Sequence, residues 1–162
     1  MKVVFAFFFI ICLVQSAWYQ TQPAKSHGFP FRVHVSINEA SLKTDLYRRR
    51  GVFFVDTTVT NISSKDQRII VWTQQGWSWL SNNANITPGT EATQNNATKI
   101  TLKPAQAYKG YVEMFIFPHK TKPITFRLGF FPNAEIPISD QPGFASLHRS
   151  EIVWSDVVTL IQ

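Results

Sequence analysis

Cysteine is almost missing from this chain of 162 residues: Cys12 is the only one, and it sits inside an apolar stretch at the start. A fold held by internal disulfides is thereby excluded, and the core must hold alone. The four histidines, His27, His34, His119 and His148, never fall at i,i+2 or i,i+4, and no cysteine joins them. A zinc or copper site is therefore not expected, and no cofactor is. No G-x-S-x-G, H-E-x-x-H or glycine-rich phosphate loop occurs. The 10 acidic residues are dispersed singly, so no pair of carboxylates is set up for acid–base work. Nowhere does an apolar 3.6-residue period persist for three turns, which excludes a substantial helix. These absences argue against an enzyme.

What is present begins with the compartment. Met1 and Lys2 precede VVFAFFFIICLV (3–14), an apolar run without a charge, and Val14 and Ser16 stand at −3 and −1 of a cleavage site. That is the pattern of a secretory signal peptide over residues 1–16. A membrane span needs about 20 apolar residues, so this run is too short for an anchor, and none is expected after its removal. The reading is a secreted or periplasmic protein. Residues 17–28 form a polar lead-in, and residues 29–162 one domain. A mature chain of roughly 145 residues buries about two-thirds of its unfolded surface, enough for a single core.

The domain reads as strands. In FPFRVHVSI (29–37), Phe29, Phe31, Val33, Val35 and Ile37 fall on one face, with Arg32, His34 and Ser36 on the other. VFFVDTTVTN (52–61) alternates again, while RIIVW (68–72) is apolar on both faces, as a central strand is. TKITL (98–102), YKGYVEMFIF (108–117), ITFRLGFF (124–131) and EIVWSDVVTLI (151–161) follow, with a long loop over 132–150. In the second of these, Tyr111, Glu113 and Phe115 fall opposite Val112, Met114 and Ile116. Asp156 interrupts the last run, and a bulge that turns it outward is the structural explanation. Seven or eight short strands with polar turns predict an all-β, immunoglobulin-like antiparallel sandwich of two sheets.

Three features stand out as candidates for binding. VWTQQGWSWL (71–80) carries Trp72, Trp77 and Trp79. Trp72 ends a central strand and is assigned to the core, across the two sheets. Trp77 and Trp79 lie beyond that strand end, before a polar run without a core signal. They are read as closing the open end of the sandwich. The alternative is a pair of exposed, coplanar rings stacking on a sugar, as in a carbohydrate-binding module. Arg48, Arg49 and Arg50 concentrate the basic excess of 16 Lys+Arg over 10 Asp+Glu. They are read as a solvated turn, or otherwise as a docking patch for anionic glycans, lipid headgroups or an acidic partner. Three arginines without a recognition motif do not suit nucleic acid.

The succession TVTNISSKDQRIIVW, the Trp pair, KITLKPAQAY, ITFRLGFFP and IVWSDVVTLI resembles a group of small secreted bacterial proteins of immunoglobulin-like fold. The turn Val59-Thr60-Asn61-Ile62-Ser63 and the Leu102-Lys103-Pro104 stop are also similar to the BsuPI-type intracellular proteinase inhibitor domain. The first resemblance implies a secreted bacterial protein of immunoglobulin-like fold and carries over no binding residues; the second implies inhibition of a hydrolase. With no catalytic motif in the chain, the reading is a non-enzymatic, protein-binding or envelope-associated module, with a glycan partner as the alternative. The secreted proteins often carry cysteines where this chain has Gln74-Gln75 and Thr93-Gln94, so that disulfide is absent here. Asn61-Ile62-Ser63, Asn85-Ile86-Thr87 and Asn96-Ala97-Thr98 match the N-glycosylation pattern; in a bacterial protein they are Asn-rich turns.

Overall fold

In the computed structural model, residues 28–73, 75–89, 96–117, 123–134 and 149–161 are described. The leader at 1–16, nearly all of the lead-in, His27, His119, His148 and most of the 132–150 loop lie outside them. Alternation in the sequence becomes alternation of burial. Strand β1, Phe31–Ile37, buries Phe31, Val33 and Val35 and exposes Arg32, His34 and Ser36. It pairs antiparallel with β2, Val52–Asn61, setting Val33 opposite Val59. Counting strands in chain order, β7 (Ala107–Ile116) lies on the far side of β2, with Val55 opposite Val112. A short strand β5, Ile86–Pro88, follows on β7, and the order is β1-β2-β7-β5.

The remaining strands make smaller antiparallel sheets: β3 (Gln67–Trp72) with β6 (Ala97–Leu102), and β4 (Trp79–Ser81) with β9 (Leu128–Phe130) and β10 (Val153–Trp154). Strand β8, Ile124–Phe126, pairs with β11, Val158–Leu160. The protein is thus all-β with antiparallel sheets. Phe53, Val55, Met114 and Ile116 of the four-stranded sheet share one core with Ile69, Trp79, Phe126, Leu128 and Leu160 of the smaller ones. Among the described residues no helix is long and apolar enough to cross a membrane.

Two expected long strands are each broken once, at the same level. Trp154 stands opposite Gly129 and Val158 opposite Phe126, so residues 156 and 157 face Arg127 alone. Two residues against one is a bulge, and it turns Asp156 into solvent. Side chains take over the ladder bonds there. Leu128 N–H donates to Ser155 Oγ at 3.1 Å, and Arg127 N–H to Asn82 Oδ1 at 2.7 Å.

Three expectations need correction. The arginine run is not a turn: Asp45–Arg50 forms a short helix, α1. Thr44 caps it by accepting from Tyr47 N–H at 3.2 Å, and Gly51, at φ 66°, closes it in the left-handed conformation. Asp45 in the first turn and three arginines in the last suit the helix dipole. At six residues it is too short to show a period. The polar run after Trp79 does carry core: Ile86 in β5 is fully buried. Trp72 is not the anchor between the sheets. It is only half-buried and belongs to a small side cluster of Phe131, Ala134, Ile152, Leu80 and Trp154.

Candidate binding surface

The outer face of the four-stranded sheet carries aromatic side chains where a solvated strand face carries polar ones. Register places them. On β2, Phe54 and Asp56 share the outer face, and on β7 Tyr111, Glu113 and Phe115 do. Phe54 lies opposite Glu113 and Asp56 opposite Tyr111, so Phe54 and Tyr111 are diagonal neighbours. Their rings meet edge to face, with centroids 5.8 Å apart and planes at 80°. Phe115 and Phe117 follow on the same face, stacked at 6.3 Å and 11°. Tyr111 is 59 % exposed and Phe117 56 %, while Phe54 and Phe115 are half-buried. Gly89 lets the chain after β5 pass close beneath: a Cβ there would lie 2.8 Å from Phe115 Cε2. Sequence alternation put Tyr111, Glu113 and Phe115 on the polar side correctly. It missed the aromatic patch, because Phe54 comes from another strand and only the pairing joins them.

The tryptophans do not make a sugar platform. Trp79 is 4 % exposed, on β4, with its ring 5.0 Å from that of Phe130. Trp77 is half-buried in the 3-10 turn Gln75–Ser78, and its ring lies 5.4 Å from that of Trp72 at 50°. Trp72 Nε1–H in turn donates to the carbonyl of Ala134 at 2.9 Å. Stacking on a saccharide requires an open ring face, and Trp79 offers none. The carbohydrate-binding alternative built on exposed Trp77 and Trp79 is therefore corrected: Trp79 is a core residue, and Trp77 covers Trp72.

On α1, Arg48 and Asp45 approach to 4.0 Å with both side chains largely exposed, a weak pairing. Asp45, Leu46, Arg49 and Arg50 line a shallow depression of about 350 Å³, and Leu46 is exposed within it. The three arginines stay in solvent and none reaches the aromatic face through a described contact. Among the described residues, no group of three His, Cys, Asp or Glu is placed to hold a metal. Burial pushes the Tyr108 hydroxyl up from its ordinary value. That ring borders a tight apolar crevice with Val71, Trp72, Ser78, Trp79 and Phe130, beneath the outer face.

The chain matches no family model and no curated protein. It is similar to the crystal structure of a FixG-related protein from Vibrio parahaemolyticus, with a TM-score of 0.46 and 8% identity, over 83% of this chain and 97% of that one. Nothing is transferred from a likeness at that level.

Proposed function

We propose that the protein is a secreted or periplasmic, non-enzymatic module of immunoglobulin-like β-sandwich architecture that binds another protein. One observation supports this reading above the others: the row Phe54, Tyr111, Phe115 and Phe117 on the outer sheet face, with Tyr111 and Phe117 more than half exposed. Aromatic rings are enriched at the centres of protein interfaces, because they bury much apolar area while ordering few torsions. A contiguous exposed apolar patch on a soluble domain marks an interaction site, whereas single exposed apolar residues do not. Inhibition of a hydrolase is a narrower form of the same function. Its support is the resemblance of the Val59 to Ser63 turn and the Leu102 to Pro104 stop to the BsuPI-type domain.

Photo-cross-linking tests the reading. A benzophenone amino acid at position 117, in protein exported by the cell that makes it, should give one discrete protein adduct. Tyr111→Ser should weaken that adduct severalfold. A probe at the exposed Thr101, on β6, should give none. Equal, diffuse labelling from both positions would return the aromatic face to an inert surface.

A further inference from the structure

The edges of the four-stranded sheet are not equally closed. On β1, the bonds Asn38 N–H to Phe54 O and Ile62 N–H to Pro30 O turn the even-numbered residues toward β2. Phe31, Val33 and Val35 therefore direct their backbone groups outward, yet they are only 5%, 3% and 6% exposed, and β1 packs against β10 and β11. That edge is covered. On β5, Gly89 N–H donates to Glu113 O and Phe117 N–H to Asn85 O, so Ile86 and Pro88 turn away from β7. Pro88 then presents to the outside a nitrogen without hydrogen, a common guard on an edge strand.

Among the described residues, nothing gives the start of β7 either protection. β5 covers β7 only from Met114 to Ile116. Ala107, Lys109 and Tyr111 belong to the same alternating set as Glu113 and Phe117, so their N–H and C=O groups face the side that β5 vacates. Among the described residues no backbone hydrogen bond is made to them there, and all three are exposed. Their other flank is fixed to β2 throughout, from Thr60 opposite Ala107 to Asp56 opposite Tyr111. Among the described residues this leaves an edge that is held by β2 on one flank and unpaired on the other, about 14 Å from Ala107 to Tyr111 at about 3.4 Å per residue.

We propose that the edge of β7 from Ala107 to Tyr111 accepts an extended segment of the protein partner as an added antiparallel strand, carrying an acidic side chain over Lys109. This rests on the protein-binding reading above and specifies its mode. Main-chain bonds supply the attachment in strand addition, and alternate side chains supply selectivity. The added strand continues the line of β5, so its outward side chains lie beside Tyr111 and Lys109 and extend the aromatic row. A β-branched residue suits the position beside Gly110, where this chain has no side chain. Lys109 sets the charge: Thr58 lies directly opposite it on β2, and among the described residues it makes no ion pair within 4.0 Å with Asp56, its diagonal neighbour there. It also selects against a second copy of the chain. The fully overlapped antiparallel pairing of two such edges puts Lys109 against its own counterpart, and like charges directly opposite destabilise.

The test uses the chain from residue 17, labelled for amide NMR, and the acetylated, amidated peptide Tyr-Val-Glu-Val-Thr at millimolar concentration. The amides of Ala107, Lys109 and Tyr111 should shift, and their hydrogen exchange should slow. The peptide with Lys in place of Glu should bind roughly fivefold more weakly, and Lys109→Glu should invert that preference. Lys109→Pro should abolish binding, because the N–H it removes faces the edge and not β2; an unchanged spectrum elsewhere reports its fold. Absence of shifts at these three amides, or equal affinity for both peptides, would overturn the proposal. So would concentration-dependent dimerisation through the same amides. The cross-link from position 117 separates the two ideas: its persistence in Lys109→Pro would leave a protein partner standing without strand addition, and its absence in the parent protein would remove the partner itself.

Discussion

Asn61 Nδ2–H donates a 2.8 Å hydrogen bond to the carbonyl of Leu102, 41 residues further along the chain. The bond ties the end of β2, in the four-stranded sheet, to the end of β6, in the two-stranded sheet with β3. The same amide donates to Lys65 O at 2.8 Å, while Oδ1 accepts from the N–H and Oγ of Ser63 at 2.9 and 2.8 Å. Asn61 is fully buried and its bond to Leu102 O is buried, so water cannot readily replace that bond, while Ser63 and Lys65 lie nearer the surface. Each buried group left without a partner costs about 1–3 kcal/mol, so Asn61→Ala should lower stability by about 3 kcal/mol or more. Asn61→Asp should do no better, since it keeps the acceptors, loses both donors and buries a charge. Urea midpoints measure both. The same burial decides the sequon: in a glycosylating host, peptide mass analysis of the folded protein should find Asn61 unmodified, while Asn96 is exposed.

Much of this fold was legible in the sequence, and the failures share a cause. β1, β2 and β7 declared themselves by strict alternation, because one side of each faces the core. β5 did not: three residues with one fully buried, Ile86, are too few for a period. The bulge at Asp156 was legible because a charge inside an apolar run demands an exit. Trp72 was misassigned as the core anchor, while burial of at least one of Trp77 and Trp79 was expected and Trp79 is that one. Their distinction depends on the turn Gln75–Ser78, which carries the chain back so that Trp79 enters β4 and faces inward. The aromatic face and the open edge were beyond single-strand reading, since both are properties of register between strands.

Trp79 is expected to carry the stability that Trp72 does not. Trp79→Ala should cost about 3–5 kcal/mol, because the ring is buried on Phe130 in the main core. Trp77→Ala should cost clearly less, since its ring is half-buried over Trp72. Trp72→Ala should fall between them, losing both that contact and the bond to Ala134 O. Chemical denaturation of the three variants gives the order directly.

Ala105 has a φ of 63° in the turn between β6 and β7, a conformation that favours glycine. Its N–H donates to Asn61 O at 2.9 Å, and Gln106 N–H to Lys103 O at 3.0 Å, so the turn is held from both sides. Ala105→Gly should relieve the strain and raise stability by about 0.5–1 kcal/mol, with the unfolding midpoint as the readout.

Tyr108 gives the protein an alkaline limit. Burial raises its hydroxyl above the ordinary value, so the folded state favours the neutral phenol more than the unfolded state does. That contribution is complete below the unfolded value, about pH 10, and is lost as pH rises through the folded one. Stability should therefore fall above about pH 10, and Tyr108→Phe should flatten that fall while leaving neutral pH little changed. Thermal midpoints between pH 8 and 11.5, with phenolate absorbance, would show it; an identical alkaline slope in the variant would reject it.

The arginines of α1 do not act as one patch. Successive helical residues are about 100° apart, so Arg48, Arg49 and Arg50 point in different directions around the axis. Leu46, Arg49 and Arg50, at i, i+3 and i+4, share a face and line the same depression, whereas Arg48 lies beside Asp45. A docking role for anionic glycans then predicts an unequal division. Retention on immobilised heparin should fall steeply with salt and vanish by about 1 M, where the screening length shrinks to about 3 Å. The double change Arg49→Gln, Arg50→Gln should remove most of the retention, and Arg48→Gln alone should remove little. Because Thr44 and Gly51 cap the helix by groups outside the run, its circular dichroism should survive all three changes. Retention that is indifferent to the triple replacement would make α1 a solvated helix and leave binding to the aromatic face alone.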